Sequence, residues 1–190
     1  MKKNISNHIG IVFVLLKSLR KKLLHKNVIH GDPKLSNFLF DIQCKKVVSL
    51  VDLDTVSAGY LLTDLADCIR SICNSAGKSP QNICDVSFEI NSCKNFLHGY
   101  FSLNKNKSFR YLPEFIYLII FELTIRFLTD FLQFNRYFKI QYETHNLFRA
   151  EVQYRLLSSF LLQMPNFSKE LYKIGVSTSL DFLSDAQKFV

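Results

Sequence analysis

The fold is decided by two polar stretches, His30-Gly31-Asp32-Pro33-Lys34-Leu35-Ser36-Asn37 and Val51-Asp52-Leu53-Asp54-Thr55. Each comes directly after a short apolar run typical of a β-strand, over 28–29 for the first and 47–51 for the second. Residues 38–40 are predicted as the intervening strand and 41–46 as a polar turn. Because a hairpin brings its two ends side by side, we expect the polar side chains of both stretches to meet.

The rest of the chain has mostly helical periodicity, so the predicted fold class is mainly α with a small β-hairpin. The run 47–51 is predicted to be a buried strand, and Ser57-Ala58-Gly59 a turn. Pro113 is well placed for a helix start. The predicted helices lie at about 7–25, 61–72, 85–102, 113–133, 146–163 and 167–174, with a weak one near 179–188.

Composition limits the classes of partner. The 190 residues carry a formal net charge of +8, which suits anionic partners, but the basic residues are spread along the chain and do not predict nucleic-acid binding. Five cysteines, at 44, 68, 73, 84 and 93, show neither CxxC spacing nor a zinc-binding histidine, which indicates reduced thiols and a cytoplasmic location. The apolar run at 9–16 is followed at once by basic residues, and no stretch is apolar enough to cross a bilayer, so no membrane partner is expected.

The two polar stretches carry the groups that phosphoryl transfer requires. Asp32 offers a carboxylate able to accept a hydroxyl proton, and Lys34 offers a cation two residues away. Asn37 and Asp52 offer hard oxygen atoms of the kind that bind Mg²⁺ alongside substrate phosphates. The spacing His30-x-Asp32-x₄-Asn37, followed by Asp52, is the spacing of a kinase catalytic loop and its metal-binding aspartate.

These motifs resemble the aminoglycoside phosphotransferase and choline kinase branch of the protein-kinase-like fold, in which an HGD-x₄-N loop precedes an I-D-x-D element. Within it, the chain looks similar to the N-acetylhexosamine 1-kinase group over about residues 28–163. The blocks that carry the narrower resemblance are 51–56 with 64–70, then 126–132, then 137–138 with 145–147. The family's usual Gly-Asp turn before Tyr137 is replaced here by Phe134-Asn135-Arg136.

The resemblance implies roles for the site residues. Asp32 would be the catalytic base, and Lys34 would contact phosphate. Asn37 and Asp52 would hold Mg²⁺ and so the ATP phosphates, with Asp54 as a further carboxylate at the metal. The remaining roles are a loop brace for His30, structural anchoring for Asp64, Asp67 and Arg70, and sugar contacts for Arg126 and Tyr137.

The resemblance also implies a missing part. The expected organisation is a single phosphotransferase C-lobe over 1–190, with an N-terminal helix at 1–27, catalytic and metal loops on a hairpin at 28–56, and a helical substrate-side subdomain at 57–190. Residues 1–27 contain a single glycine and cannot supply the N-lobe that covers ATP, so we expect poor ATP affinity. An N-lobe polypeptide or a homo-oligomer is the expected macromolecular partner, and a sugar or alcohol is the expected acceptor.

Two alternatives remain open from the sequence. The chain could be a small-molecule kinase that is inactive alone, or a non-catalytic remnant that serves as a sugar-binding or regulatory module. Glu122, Arg126 and Asp130 are spaced i, i+4, i+8, so they could form an ion-pair ladder on a solvated helix face instead of a substrate site.

Overall fold

The computed structural model describes residues 2–20, 25–77, 80–103 and 109–176. Helices dominate this part of the chain, and the strands are only three or four residues long. The elements run in the order α1 (Lys2–Arg20), β1 (Asn27–Ile29), β2 (Phe38–Phe40), β3 (Val47–Leu50), β4 (Ser57–Gly59), α2 (Leu61–Ile72), α3 (Ile90–Leu103), α4 (Leu112–Leu132) and α5 (His145–Lys173).

The strands form two separate antiparallel ribbons. The predicted hairpin is confirmed: β2 pairs with β3, with Phe38 opposite Leu50. The prediction of a turn at 57–59 is wrong, because these residues form β4, which pairs with β1. Gly59 allows this pairing to pack closely, since a Cβ at that position would lie 2.3 Å from the side chain of Ile29.

The prediction of a buried strand at 47–51 is also wrong. Val47 is 55% exposed and Val48 63% exposed. An apolar run of this length predicts a strand, but whether it is buried depends on what the rest of the fold lays over it. In the described part of the chain nothing covers this ribbon fully.

Three helices make most of the core. The largest interface joins α4 to α5, and α2 packs on α4. Pro113 lies in the first turn of α4, as expected. The fully buried side chains at these interfaces include Ile69, Ile116, Ile120, Leu156, Leu157 and Phe160.

One helix replaces two that the sequence predicts. The separate helices expected at 146–163 and 167–174 are a single helix, α5, which runs through Pro165. Phe160, Met164, Phe167 and Leu171 recur at helical spacing and are all at most 2% exposed. This continuous core stripe holds the helix together across the missing N–H of the proline.

Other helix boundaries shift by a few residues. The helix predicted from residue 85 begins at Ile90, because Ile83–Asp85 forms a 3₁₀ turn and Phe88 makes an isolated β-bridge to Asn74. The first helix begins at Lys2, five residues earlier than expected. The weak helix near 179–188 lies outside the described residues. Within the described residues, none of the helices has the length and apolarity needed to cross a membrane.

Candidate active site

The loop from His30 to Asn37 leaves β1 and returns to β2 through a 3₁₀ turn at Leu35–Asn37. Gly31 makes the turn with φ +85°, in the left-handed region. A Cβ at this position would lie 2.6 Å from the carbonyl oxygen of Thr55, so the two polar stretches touch through their backbones. Thr55 also donates its hydroxyl to the carbonyl oxygen of His30, at 2.7 Å.

Helix α2 holds the backbone of this loop. The Asp64 carboxylate accepts hydrogen bonds from the backbone N–H groups of His30, at 2.6 Å, and of Gly31, at 2.9 Å. Two turns further along α2, the Ser71 hydroxyl oxygen accepts from the N–H of Leu35, at 2.8 Å. Our sequence reasoning missed Ser71, although its i, i+7 spacing from Asp64 places both side chains on one helix face.

The side chains of the two stretches converge as their spacing predicts. The Lys34 ammonium makes ion pairs with both carboxylates, a close one with Asp32 and one of 3.5 Å with Asp52. The Asn37 amide donates to the carbonyl oxygen of Asp32, at 2.8 Å, and to the carboxylate of Asp52, at 3.2 Å. Four side chains that could serve phosphoryl transfer therefore share one cluster, which we call the Asp32 cluster.

His30 fixes the position of the second stretch relative to the first. Its Nε2 atom is 2.9 Å from the carbonyl oxygen of Val51, and its Nδ1 atom accepts from the N–H of Asp32, at 3.3 Å. The next residue, Asp52, has φ +68°, which is unusual for a residue with a side chain, and it leads into the 3₁₀ turn at Leu53–Thr55. The histidine thus ties the backbone that presents one acid to the backbone that presents the other.

The Asp32 cluster fits a divalent cation in its donor chemistry. Carboxylate and amide oxygens are hard ligands suited to Mg²⁺, and the two acids already hold a cation, the Lys34 ammonium, between them. The Asp52 side chain is 49% exposed, which leaves room for the water and phosphate ligands that Mg²⁺ usually retains. Asp54 is exposed and makes no hydrogen bond or ion pair to the cluster in the described structure. No group of three His, Cys, Asp or Glu residues suited to a metal occurs among the described residues.

The other predicted site residues lie on α2, on α4 and after α4. Asp67 pairs with Arg70 at 2.8 Å on α2, with both side chains largely buried. Arg126 lies over the ring of Tyr137, 5.9 Å from its centroid. Within the described residues, neither Arg126 nor Tyr137 makes a hydrogen bond or ion pair with the Asp32 cluster.

The ion-pair ladder on α4 is only half formed. Arg126 is 3.6 Å from Glu122, and both are about half exposed. Asp130 is instead buried and accepts from the backbone N–H groups of Tyr137, at 2.8 Å, and Phe138, at 2.9 Å. Burial raises the pKa of Asp130, but these backbone hydrogen bonds outweigh it and hold that pKa below its usual range.

The turn after α4 is built around this carboxylate. Asn146, fully buried on α5, donates to Asp130 at 2.8 Å and to the side-chain oxygen of Asn135 at 3.0 Å. Phe134 and Asn135 both have positive φ, at 65° and 55°. The chain therefore adopts here a left-handed turn of the kind that favours glycine, although its sequence supplies Phe and Asn.

A comparison with known families agrees with this geometry. Residues 9–83 match the family model APH, the phosphotransferase enzyme family. The matched range covers less than half of the chain, but it contains the whole Asp32 cluster together with Asp64 and Ser71. The APH match indicates a kinase-like fold and phosphotransferase activity in general. Of the three blocks that carry the resemblance to sugar 1-kinases, 51–56 with 64–70 lies inside the APH match, and 126–132 and 137–138 with 145–147 lie outside it.

Proposed function

We propose that this chain carries the catalytic centre of an ATP-dependent phosphotransferase that acts on a hydroxyl group of a small molecule. The convergence of Asp32, Lys34, Asn37 and Asp52 carries the proposal, because it places a proton acceptor, a phosphate-binding cation and metal-ligating oxygens within hydrogen-bond reach of one another. Phosphoryl transfer depends mainly on such positioning and charge neutralisation.

Each residue has a separate task in this proposal. Asp32 accepts the proton of the attacking hydroxyl, and Lys34 leaves its ion pairs to contact the transferred phosphate. Asn37 and Asp52 hold Mg²⁺, which supplies charge neutralisation to the phosphates when bound. Asp64 keeps the loop backbone in place through His30 and Gly31.

The acceptor that we propose is a sugar of the N-acetylhexosamine type, phosphorylated at its anomeric hydroxyl. The support is the resemblance at 126–132 and at 137–138 with 145–147, together with the exposed pair of Arg126 and Tyr137. An aromatic ring can stack on a sugar, and a guanidinium beside it can donate hydrogen bonds to the sugar hydroxyls.

The nucleotide side of the site requires further polypeptide. Exposed apolar side chains are concentrated on and beside the strands next to the Asp32 cluster: Val28 is 80% exposed, Val48 63% and Leu53 58%. Two-stranded ribbons are marginal when they stand alone. We propose that an N-lobe polypeptide covers this surface and completes the ATP site, and that the present residues alone bind ATP weakly.

The metal part of the proposal is tested with Mn²⁺ as a probe for Mg²⁺. We expect Mn²⁺ to broaden the NMR signals of Asn37 and Asp52 before those of other residues, and Asp52→Asn to weaken this effect at least tenfold. Asp85→Asn, which removes an exposed carboxylate outside the site, is the matched control and should leave the broadening unchanged. Broadening that is insensitive to Asp52→Asn would contradict the metal assignment.

The catalytic part is tested by ADP release from Mg·ATP with an N-acetylhexosamine, at millimolar ATP. The assay is run with and without a candidate N-lobe polypeptide: we expect turnover only when that polypeptide is present, and we expect Asp32→Asn to abolish it and Asp85→Asn to preserve it. Sugar binding by calorimetry without any ADP release, even with the N-lobe polypeptide present, would favour the alternative of a non-catalytic sugar-binding module.

A further inference from the structure

Two buried thiols meet where α2 ends and α3 begins. Cys73 caps the C-terminal end of α2, and Cys93 lies in the first turn of α3. Both are 0% exposed and belong to the same core cluster. Cys44 and Cys84, by contrast, are exposed.

The backbone fixes the two thiols as neighbours. The N–H of Glu89 donates to the carbonyl oxygen of Cys73, at 2.8 Å, and the carbonyl oxygen of Glu89 accepts from the N–H of Cys93, at 3.1 Å. An antiparallel bridge between Asn74 and Phe88 holds the same two segments together. The neighbouring Cys93 thiol, ahead of burial, is also the largest cause that raises the pKa of the Cys73 thiol. A disulfide needs sulfur-bearing side chains in this kind of proximity, with little backbone movement.

We propose that Cys73 and Cys93 form a reversible intrachain disulfide when the protein meets a peroxide. One thiolate attacks a peroxide oxygen of H₂O₂, the O–O bond breaks, and a sulfenic acid forms while the released hydroxide takes up a proton. The second thiolate then attacks that sulfur, the S–O bond breaks, and water leaves. The two thiols lose two electrons and two protons in total, and H₂O₂ is reduced to two molecules of water.

The disulfide would tie together the helix that braces the catalytic loop and the helix that follows it. Asp64 and Ser71 of α2 hold the loop backbone, and Cys73 follows them at the end of the same helix. Oxidation should be slow, because the neighbouring Cys93 thiol and then burial raise the pKa of Cys73. A small oxidant and an incubation of hours are therefore appropriate.

The test uses the Cys44→Ser/Cys84→Ser variant, which removes both exposed thiols. The folded protein is incubated with H₂O₂, quenched with N-ethylmaleimide and digested with trypsin. The sequence makes the assignment unambiguous, because cleavage after Arg70, Lys78 and Lys94 places Cys68, Cys73 and Cys93 in three different peptides. We expect a cross-link between peptides 71–78 and 79–94, with loss of two hydrogen masses and reversal by a phosphine reductant.

Matched variants distinguish this pair from the third buried thiol. Cys93→Ala should abolish the cross-link, while Cys68→Ala should preserve it. We also expect oxidation to raise the Tm by roughly 5–10 °C, since the bond closes a loop of about 20 residues. If Cys93→Ala does not fold, the cross-linked peptides from the parent variant still decide the question. Cross-links to Cys68, or only irreversible sulfinic and sulfonic products in the folded protein, would overturn the proposal.

Discussion

The two polar stretches touch at Gly31, and the missing side chain of this glycine makes the contact possible. Its φ of +85° is accessible to glycine at little cost, and the Thr55 carbonyl occupies the space that a Cβ would need. The HGD motif therefore has a structural requirement at its second position that is separate from the chemistry of Asp32.

The Gly31→Ala variant should be destabilised by at least about 2 kcal/mol, because strain in the left-handed region adds to a clash with backbone. Gly99→Ala is the matched control. Gly99 lies within α3 with nothing within 4 Å of an added Cβ, so alanine there should stabilise the protein by about 1 kcal/mol. Urea unfolding of both variants measures the two effects, and equal free energies of unfolding would contradict this explanation.

Among elements, the turn between α4 and α5 departs most from what its sequence favours. Phe134 is in the left-handed region with its side chain 84% exposed, so little packing compensates for the strain. The Asp130 carboxylate offsets this strain, because it accepts hydrogen bonds from the backbone N–H groups of Tyr137 and Phe138 directly after the turn.

Phe134→Gly should therefore be more stable than Phe134→Ala by about 1 kcal/mol. Both variants remove the ring, so any packing of the exposed phenyl group cancels in the comparison, and only the difference in backbone preference remains. Thermal unfolding of Phe134→Gly and Phe134→Ala measures this difference in stability. An alanine variant as stable as the glycine variant would show that the turn is not strained at this position.

Asp130 in the same turn should make the free energy of unfolding depend on pH. The pKa of Asp130 in the folded state is below its ordinary value of about 3.9, so its stabilising effect is present above that pH and is lost as the pH falls through the folded pKa. Asp130→Asn should destabilise the protein at pH 7, and the gap in the free energy of unfolding between this variant and the wild-type protein should narrow as the pH falls towards 3. Urea midpoints across this range measure the gap, and a gap independent of pH would contradict the prediction.

Helix α1 is attached to the bundle largely through buried side chains. Its His8 is 1% exposed, with Nδ1 at 2.8 Å from the hydroxyl of Tyr117 and its ring beside those of Phe121 and Tyr154. The attachment of α1 therefore depends on a histidine that remains uncharged.

Burial lowers the pKa of His8 below its ordinary value of about 6.5. The stability that depends on neutral His8 is complete above this pH and is lost as the pH falls through 6.5 towards the folded pKa. We expect the Tm of the wild-type protein to fall as the pH is lowered from 7.5 to 5.5, and the Tm of His8→Gln to fall less.

The exposed His25 provides the control for this comparison, since the Tm of His25→Gln should fall by as much as that of the wild-type protein. Part of the fall in Tm should persist in His8→Gln, because burial and then the charge of Arg149 lower the pKa of His145 as well. A His8→Gln variant with the same dependence on pH as wild type would contradict the role of His8.

Much of the candidate site could be predicted from sequence because its residues lie close together along the chain. The spacing from His30 to Asn37 and the hairpin length to Asp52 are local features, and the structure brings those side chains together. The resemblance implies a structural role for Asp64, along with Asp67 and Arg70, but nothing in the sequence points to Ser71. A serine on a helix shows no sign of its partner until the helix is placed against the loop.

Local patterns by themselves determined the mainly helical class, the β2–β3 hairpin and the sites at which α2 and α4 begin, since hydrophobic periodicity and turn residues act over a few positions. Only the tertiary structure decided that Ser57–Gly59 pairs with β1, that α5 continues through Pro165, and that Asp130 turns inward. Each of these depends on a partner distant in sequence. The free energy of such a contact exists only once the chain has folded, so no local pattern contains it.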